Sequence, residues 1–290
     1  MNDRIGVVGI GLMGRAFCER LTAKGYRVTA FNRTKREEHG ALTSLGINVV
    51  DDAAKVVRDS ELIILSLGDA HAIRGVLQAA NLQSAAGKTF IQMGTIAPQE
   101  SVEIATFIER SASKYIEAPV MGSAAEIKSG TLIAMTGGDP TVFEQVKPLL
   151  TALASSIRFT GEVGSAAALK LAMNQLTAAL TAAFSISLAF CLENGVDVNV
   201  FMATLRESAL YAPAYDKKLP KYLSRDFGKA NFSPKHLLKD VRLFIEGARS
   251  CNLETSAVEG LERIAAEAVA RDLSQLDYSS IYSVIHPVRA

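Results

Sequence analysis

The apolar run Ile5–Val8 leads directly into Gly9-Ile10-Gly11-Leu12-Met13-Gly14, and Gly14–Lys24 then reads as a helix. A bare G-x-G-x-x-G is common, but between a strand and a helix it has a specific physical use. Glycine at the first position permits a tight turn, and at the second it lets the backbone approach a pyrophosphate. At the third it lets helix and strand pack closely, while the helix N-terminus turns amide donors toward the anion. The pattern predicts a nucleotide-binding turn formed by Gly9, Gly11, Gly14 and the intervening Leu12 and Met13.

The rest of the first half keeps a βαβ rhythm, which specifies a parallel sheet. Strands are expected at Ile5–Val8, Arg27–Phe31, Leu62–Leu65, Thr89–Gln92, Tyr115–Glu117 and Leu132–Thr136. Helices are expected at Gly14–Lys24, Arg36–Leu45, Ala70–Gln78, Gln99–Ser113 and Thr141–Ala154, the last opened by Asp139-Pro140. The continuous apolar run LIILSL (62–67) suits a strand covered on both faces, and Leu67 at its end is a further cofactor-contact candidate. Beyond about residue 161 the strand signals stop. Val163–Asn194 reads as one helix of roughly 48 Å, ended by Asn194-Gly195, with helices at Val198–Arg206, Pro234–Ser250 and Thr255–Arg271 after it. The expected fold is α/β: a doubly wound Rossmann-type sheet over residues 1–162, a long joining helix over 163–194 and an all-α domain over 195–290.

The end of the second strand bears on the cofactor. An NAD site usually holds the ribose 2′-hydroxyl with an acidic residue about 20 residues past the glycines. Here the chain reads Asn32-Arg33-Thr34-Lys35-Arg36. Arg33 can fork onto a 2′-phosphate, with Asn32 and Thr34 adding hydrogen bonds and no carboxylate to repel it. NADP(H) is therefore expected in preference to NAD(H).

Composition excludes several other classes. Lys+Arg 31 against Asp+Glu 30 leaves a net charge of +1, without the basic excess of a phosphate-backbone binder, so no nucleic-acid partner is expected. Cys18, Cys191 and Cys251 are far apart, and His39, His71, His236 and His286 have no ligand spacing. That points to no metal site and to a reducing, cytoplasmic setting. Leu171–Leu192 carries no charge and is long enough to cross a bilayer. Its Asn174, Gln175, Thr177, Thr181, Ser185 and Ser187, among many alanines, fit better with a helix buried between protein surfaces. No membrane association is expected. Instead, so much apolar surface predicts a homodimer or homotetramer built on the C-terminal half.

Lys170 stands immediately before this uncharged stretch, inside an otherwise apolar and alanine-rich face, with Asn174 one turn on. A lysine so placed needs a polar cavity, and desolvation suits it to proton transfer near neutrality; a snorkelling side chain is the plainer alternative.

Four separated segments bear a family resemblance: GVVGIGLMGRAF (6–17), EAPVMGSAAEIKSGTL (117–132), GEVGSAAALKLAMNQL (161–176) and FSPKHLLKDVRL (232–243). Through them the whole chain resembles the β-hydroxyacid dehydrogenases, the group of 3-hydroxyisobutyrate dehydrogenase and the glyoxylate/succinic semialdehyde reductases. The resemblance implies that Lys170 is the catalytic acid/base and Asn174 its substrate-binding neighbour. It implies that Thr95 contacts cofactor and substrate, that Gly122 and Ser123 hold a substrate carboxylate, and that Lys239 binds cofactor. It implies as well that Asp240 closes the site and that Phe232 walls it. The implied activity is NADPH-dependent reduction of a small carboxylate-bearing aldehyde or keto acid, glyoxylate and succinic semialdehyde foremost. A 3-hydroxyisobutyrate or tartronate semialdehyde enzyme is the alternative within the family, and an imine reductase or a non-catalytic NADP-binding protein lies outside it. Three residues depart from the family pattern: Met121 and Gly94 stand where serines are usual, and Gln175 replaces a second asparagine.

Overall fold

The structure is a computed structural model that describes residues 3–34, 39–80, 82, 85–228 and 230–288. It divides into two compact units, residues 1–170 and 171–290.

The first unit is built on a nine-stranded sheet. Its strands are β1 (Arg4–Val8), β2 (Arg27–Phe31), β3 (Asn48–Val50), β4 (Leu62–Leu65), β5 (Thr89–Gln92), β6 (Lys114–Glu117), β7 (Val120–Met121), β8 (Leu132–Gly138) and β9 (Ala154–Gly161). The order is β3-β2-β1-β4-β5-β6-β8-β7, with β9 on the other side of β8. β3 through β6 are parallel, β8 runs antiparallel to β6 and β7, and β9 lies parallel to β8. Strand order reverses between β1 and β4, and in open α/β sheets ligands settle outside the carboxyl ends at such a point.

Alternate residues of each strand face opposite layers. Ile5, Val7, Leu62, Ile64, Ile91 and Ile116 pack with α1 (Leu12–Ala23), α6 (Ala124–Ser129) and α7 (Pro140–Leu153). Val8, Ile63, Leu65 and Phe90 pack with α3 (Ala53–Asp59), α4 (Ala70–Ala79) and α5 (Pro98–Glu109). All four residues of β4 are buried, as expected for a strand covered on both faces. The proline at the start of α7 is capped by Asp139, whose side chain accepts from Thr141 and Val142 N–H.

Three strands and several short or proline-containing helices differ from the sequence expectation. β3 and β7 have three and two residues, too short for a period of two to register. The reading ended on a helix at Ala154 and placed no strand after it, but Ala154–Gly161 is β9. Its half-exposed face, SSIRFT, carries no apolar alternation. α3 and α6 are shorter than two helical turns, and α10 (Pro213–Ser224) hides behind its internal Pro220. The helix expected at Arg36–Leu45 appears as α2 (His39–Thr43), with residues 35–38 outside those described.

The long helix, α8, runs Ser165–Glu193, and the division between the units falls within it. It is long and apolar enough to cross a membrane by length and composition. Asn174, Thr181 and Ser185 nevertheless lie on its buried face. Thr177, Thr181 and Ser185 donate their hydroxyls to carbonyls four residues back, so these hydroxyls are satisfied within the helix. Its cover within the chain is one-sided. Met173, Leu176, Leu180 and Phe190 are exposed, Phe190 by 69 %, because within one chain only the opposite face meets protein.

In the second unit α11 (Pro234–Ser250) packs on α12 (Ser256–Ala270) through Leu237, Val241, Ile245, Val258, Ala265 and Ala268. Phe184 stacks on Tyr215 with centroids 4.5 Å apart, and Tyr222 meets Tyr282 at 4.8 Å.

Candidate active site

At the carboxyl end of β1 the three glycines meet three different surroundings. Gly9 has φ +99°, and a side chain there would overlap the Ser66 carbonyl and the Leu67 side chain. A side chain on Gly14 would overlap the Gly9 carbonyl oxygen. Gly11 has no heavy atom within 4 Å of a would-be Cβ. Two glycines are thus required by the turn's own packing, and the third keeps open the space in front of α1. Gly11 is also the N-cap of α1, with no side-chain cap and no acidic residue in the first turn. Those N–H groups, the open space and the helix dipole form an anion cradle. Leu12 stands out beside it, while Met13 leans into the core.

Asn32 serves the loop directly. Its Oδ1 accepts from Ile10 N–H at 3.0 Å and its Nδ2 donates to the Thr34 carbonyl at 2.8 Å. Arg33 and Thr34, immediately after it, are exposed. Lys35 and Arg36 of the same motif lie outside the described residues.

The ends of β4 and β5 add the next wall. Leu67 borders both Gly9 and Gly94, and a side chain on Gly94 would overlap the Leu67 carbonyl. The chain's departure from the usual serine therefore has a steric reason. Gln92 clamps the Gly94 peptide: Oε1 accepts its N–H, and Nε2 donates to its carbonyl at 3.1 Å. Thr95, the next residue, is half-buried.

The third wall is the segment after β6. Gly122 has φ +128°, a conformation that favours glycine. Ser123 caps α6 in a closed box, since its N–H and its hydroxyl both donate to Glu126 Oε2, at 2.8 and 2.5 Å. Lys170 lies in the second turn of α8, half-buried, and its Nζ donates to Met121 Sδ at 3.3 Å. The expected acid/base thus reaches the expected substrate loop, at the position where the chain departs from serine.

Sequence reasoning passed over Glu117. It is 1 % exposed, and its Oε2 accepts from Ala166 N–H, one turn before Lys170, at 3.1 Å. Burial pushes its carboxyl above the ordinary value, partly offset by hydrogen bonds that include backbone N–H groups at the start of α8. A glutamate between Tyr115-Ile116 and Ala118-Pro119, a charge among residues that read as buried, was the available signal.

The second unit contains the remaining candidates. Asn174 Nδ2 donates to Asp240 Oδ2 at 2.6 Å. Lys239 Nζ stands 2.8 Å from the other oxygen, an ion pair without hydrogen-bond alignment. Asp240 is 2 % exposed, so the aspartate binds its two neighbours as one buried group. Phe232 packs against His236 and edge-on to Tyr278, with centroids 6.2 and 5.6 Å away. Burial, followed by the Lys239 charge, holds the His236 pKa below its ordinary value.

The open cradle at Gly11 and the uncapped first turn of α1 fit a pyrophosphate, and comparison with known proteins agrees. Residues 4–161 match the family described as the NAD binding domain of 6-phosphogluconate dehydrogenase. Residues 164–285 match the one described as NAD-binding of NADP-dependent 3-hydroxyisobutyrate dehydrogenase. The chain belongs to the β-hydroxyacid dehydrogenase family. It is similar to glyoxylate/succinic semialdehyde reductase 1 of Arabidopsis thaliana, 29 % identical over 97 % of this chain and 98 % of that protein. Glyoxylate/succinic semialdehyde reductase 2, chloroplastic, of the same plant is 28 % identical over 99 % of this chain and 80 % of its own length. In fold it resembles a 3-hydroxyisobutyrate dehydrogenase of Mycobacterium tuberculosis, with TM-score 0.89, 22 % identity and 100 % of both chains covered. As a β-hydroxyacid dehydrogenase it is an NAD(P)-dependent oxidoreductase acting on CH–OH groups. Among the described residues no cluster of His, Cys, Asp and Glu could hold a metal ion.

Proposed function

We propose that this β-hydroxyacid dehydrogenase is an NADPH-dependent reductase of small carbonyl acids, glyoxylate and succinic semialdehyde being the first to test. The observation that carries the reading is Lys170 reaching the 120–123 loop, its Nζ held at Met121. A bound reduced nicotinamide supplies the hydride for the carbonyl carbon. Lys170 gives the matching proton from Nζ to the carbonyl oxygen, and in the oxidative direction the neutral amine takes it back. Gln92 fixes the Gly94 peptide and so sets the backbone from which Thr95 projects. Glu117 holds the first turn of the lysine's helix. Asn174, bound to Asp240, is assigned to the substrate. Preference for NADPH is supported by Arg33, exposed directly after the loop-shaping Asn32, with no carboxylate at that position.

Assembly with a second copy belongs to the same reading. Met173, Leu176, Leu180, Ala183, Ser187 and Phe190 recur at alternating steps of three and four along the exposed side of α8. That spacing matches a helix-pairing seam, which a symmetric partner can cover with the same row. A reducing, cytoplasmic setting belongs to the same reading.

The test is loss of reduced-nicotinamide absorbance with glyoxylate, succinic semialdehyde and tartronate semialdehyde, for wild type and Lys170→Ala, with NADH as control. Turnover that needs NADPH and falls by about a hundredfold or more in the variant is expected of a lost acid/base group. Equal rates for the two proteins would sink the role of Lys170.

A further inference from the structure

We propose that Met121 is a specificity-determining residue, selecting carbonyl acids whose carboxylate is remote from the reacting carbonyl over those in which the two are adjacent. The inference rests on the reductase reading, in which Lys170 marks where the carbonyl oxygen must stand.

A carboxylate one bond from the reacting carbonyl carbon is confined to the neighbourhood of Lys170, and it needs hydrogen-bond donors there. The loop that Lys170 reaches offers few. At Met121 the usual hydroxyl is replaced by a thioether, which donates nothing and itself takes a hydrogen bond from Nζ at 3.3 Å. Two residues on, the Ser123 N–H and hydroxyl both point at Glu126 Oε2, at 2.8 and 2.5 Å. An adjacent carboxylate would therefore meet an apolar side chain, two occupied donors and a resident negative charge. A substrate with methylenes between aldehyde and acid presents CH₂ groups to the same loop. These pack against the methionine's flexible thioether, and the acid lies elsewhere. On this argument succinic semialdehyde is favoured over glyoxylate.

Three variants separate the contributions. Met121→Ser restores a hydroxyl, Met121→Leu keeps the apolar bulk without sulfur, and Glu126→Gln keeps a capping acceptor but removes the charge. The readout is the ratio of kcat/KM for succinic semialdehyde to that for glyoxylate, with NADPH saturating. We expect Met121→Ser to narrow the ratio about tenfold, equivalent to ~1.4 kcal/mol. Glu126→Gln should narrow it less, and Met121→Leu should leave it in place. A ratio that Met121→Ser does not move, or that Met121→Leu moves equally, overturns the proposal. If wild type reduces neither acid, the reductase reading fails. The role of Met121 is then decided by calorimetric binding of glycolate and 4-hydroxybutyrate to the NADP⁺-loaded protein: a wild-type preference for the longer acid that Met121→Ser reduces supports it, and equal affinities overturn it.

Discussion

Alanine substitutions at Gly11 and Gly14, the N-cap and the third residue of α1, are expected to fail in opposite ways. At Gly14 the new methyl would overlap the Gly9 carbonyl oxygen, which belongs to a turn pinned by the Gly9 N–H to Phe31 carbonyl bond of 2.8 Å. Overpacking of this kind costs about 1–3 kcal/mol, and a backbone–backbone overlap lies at the upper end. Replacing glycine inside a helix returns up to ~1 kcal/mol. The net loss is about 2 kcal/mol, or a melting temperature lower by roughly 4–8 °C at ~2–4 °C per kcal/mol for a unit of this size. At Gly11 nothing lies within 4 Å and the backbone is extended. The weaker capping preference of alanine, up to ~1 kcal/mol, is offset by a similar gain in unfolded-state entropy. Stability should therefore stay within ~1 kcal/mol of wild type. The methyl would, however, occupy the space assigned to the pyrophosphate, weakening NADPH binding by about tenfold or more, or at least ~1.4 kcal/mol. Differential scanning fluorimetry without cofactor and NADPH fluorescence titration read the two effects separately. A Gly11→Ala protein that binds NADPH as wild type does would refute the cradle, and an undiminished melting temperature for Gly14→Ala would refute the packing argument.

Arg33→Ser should weaken NADPH binding by about 10–100-fold, as expected for a lost charge-assisted contact, while leaving NADH unchanged; equal weakening of both would remove Arg33 from the 2′-phosphate. The raised pKa of Glu117 carries a definite sign. Its stabilisation is complete below about 4.5, the unfolded value, and is lost as pH rises through the higher folded value. Glu117→Gln stays neutral, so its stability relative to wild type should grow with pH across that window. Thermal melts over a pH series check this, and a constant difference contradicts it. Leu176→Glu with Phe190→Glu should convert an oligomer to a monomer by light scattering; a wild type already monomeric at micromolar concentration would end the seam argument.

The parallel core of the fold was legible because β4, and β1 after Arg4, are buried on both faces and read as apolar runs. β9 was not, since Ser155, Arg158 and Phe159 face outward without alternation, and Pro220 disguised α10. The glycine loop could be read because its spacing is a steric requirement at Gly9 and Gly14. Lys170 was visible as a charge at the start of an otherwise apolar helix. The occupation of the Ser123 donors by Glu126 was not visible, because a serine and a glutamate three residues apart look alike whether they cap a helix or flank a substrate. Glu117 was missed for a related reason: its partner is a backbone N–H far along the chain.

That partner also implies an order of events during folding. The bond from Ala166 N–H to Glu117 joins residues 49 positions apart. Between them the chain passes through β7, α6, β8, α7 and β9. Contacts of such separation are made only after the intervening segments have lost most of their freedom. The anchor of the lysine's helix therefore forms late, and slow hydrogen exchange at the Ala166 amide marks the chain in which the first unit has finished assembling.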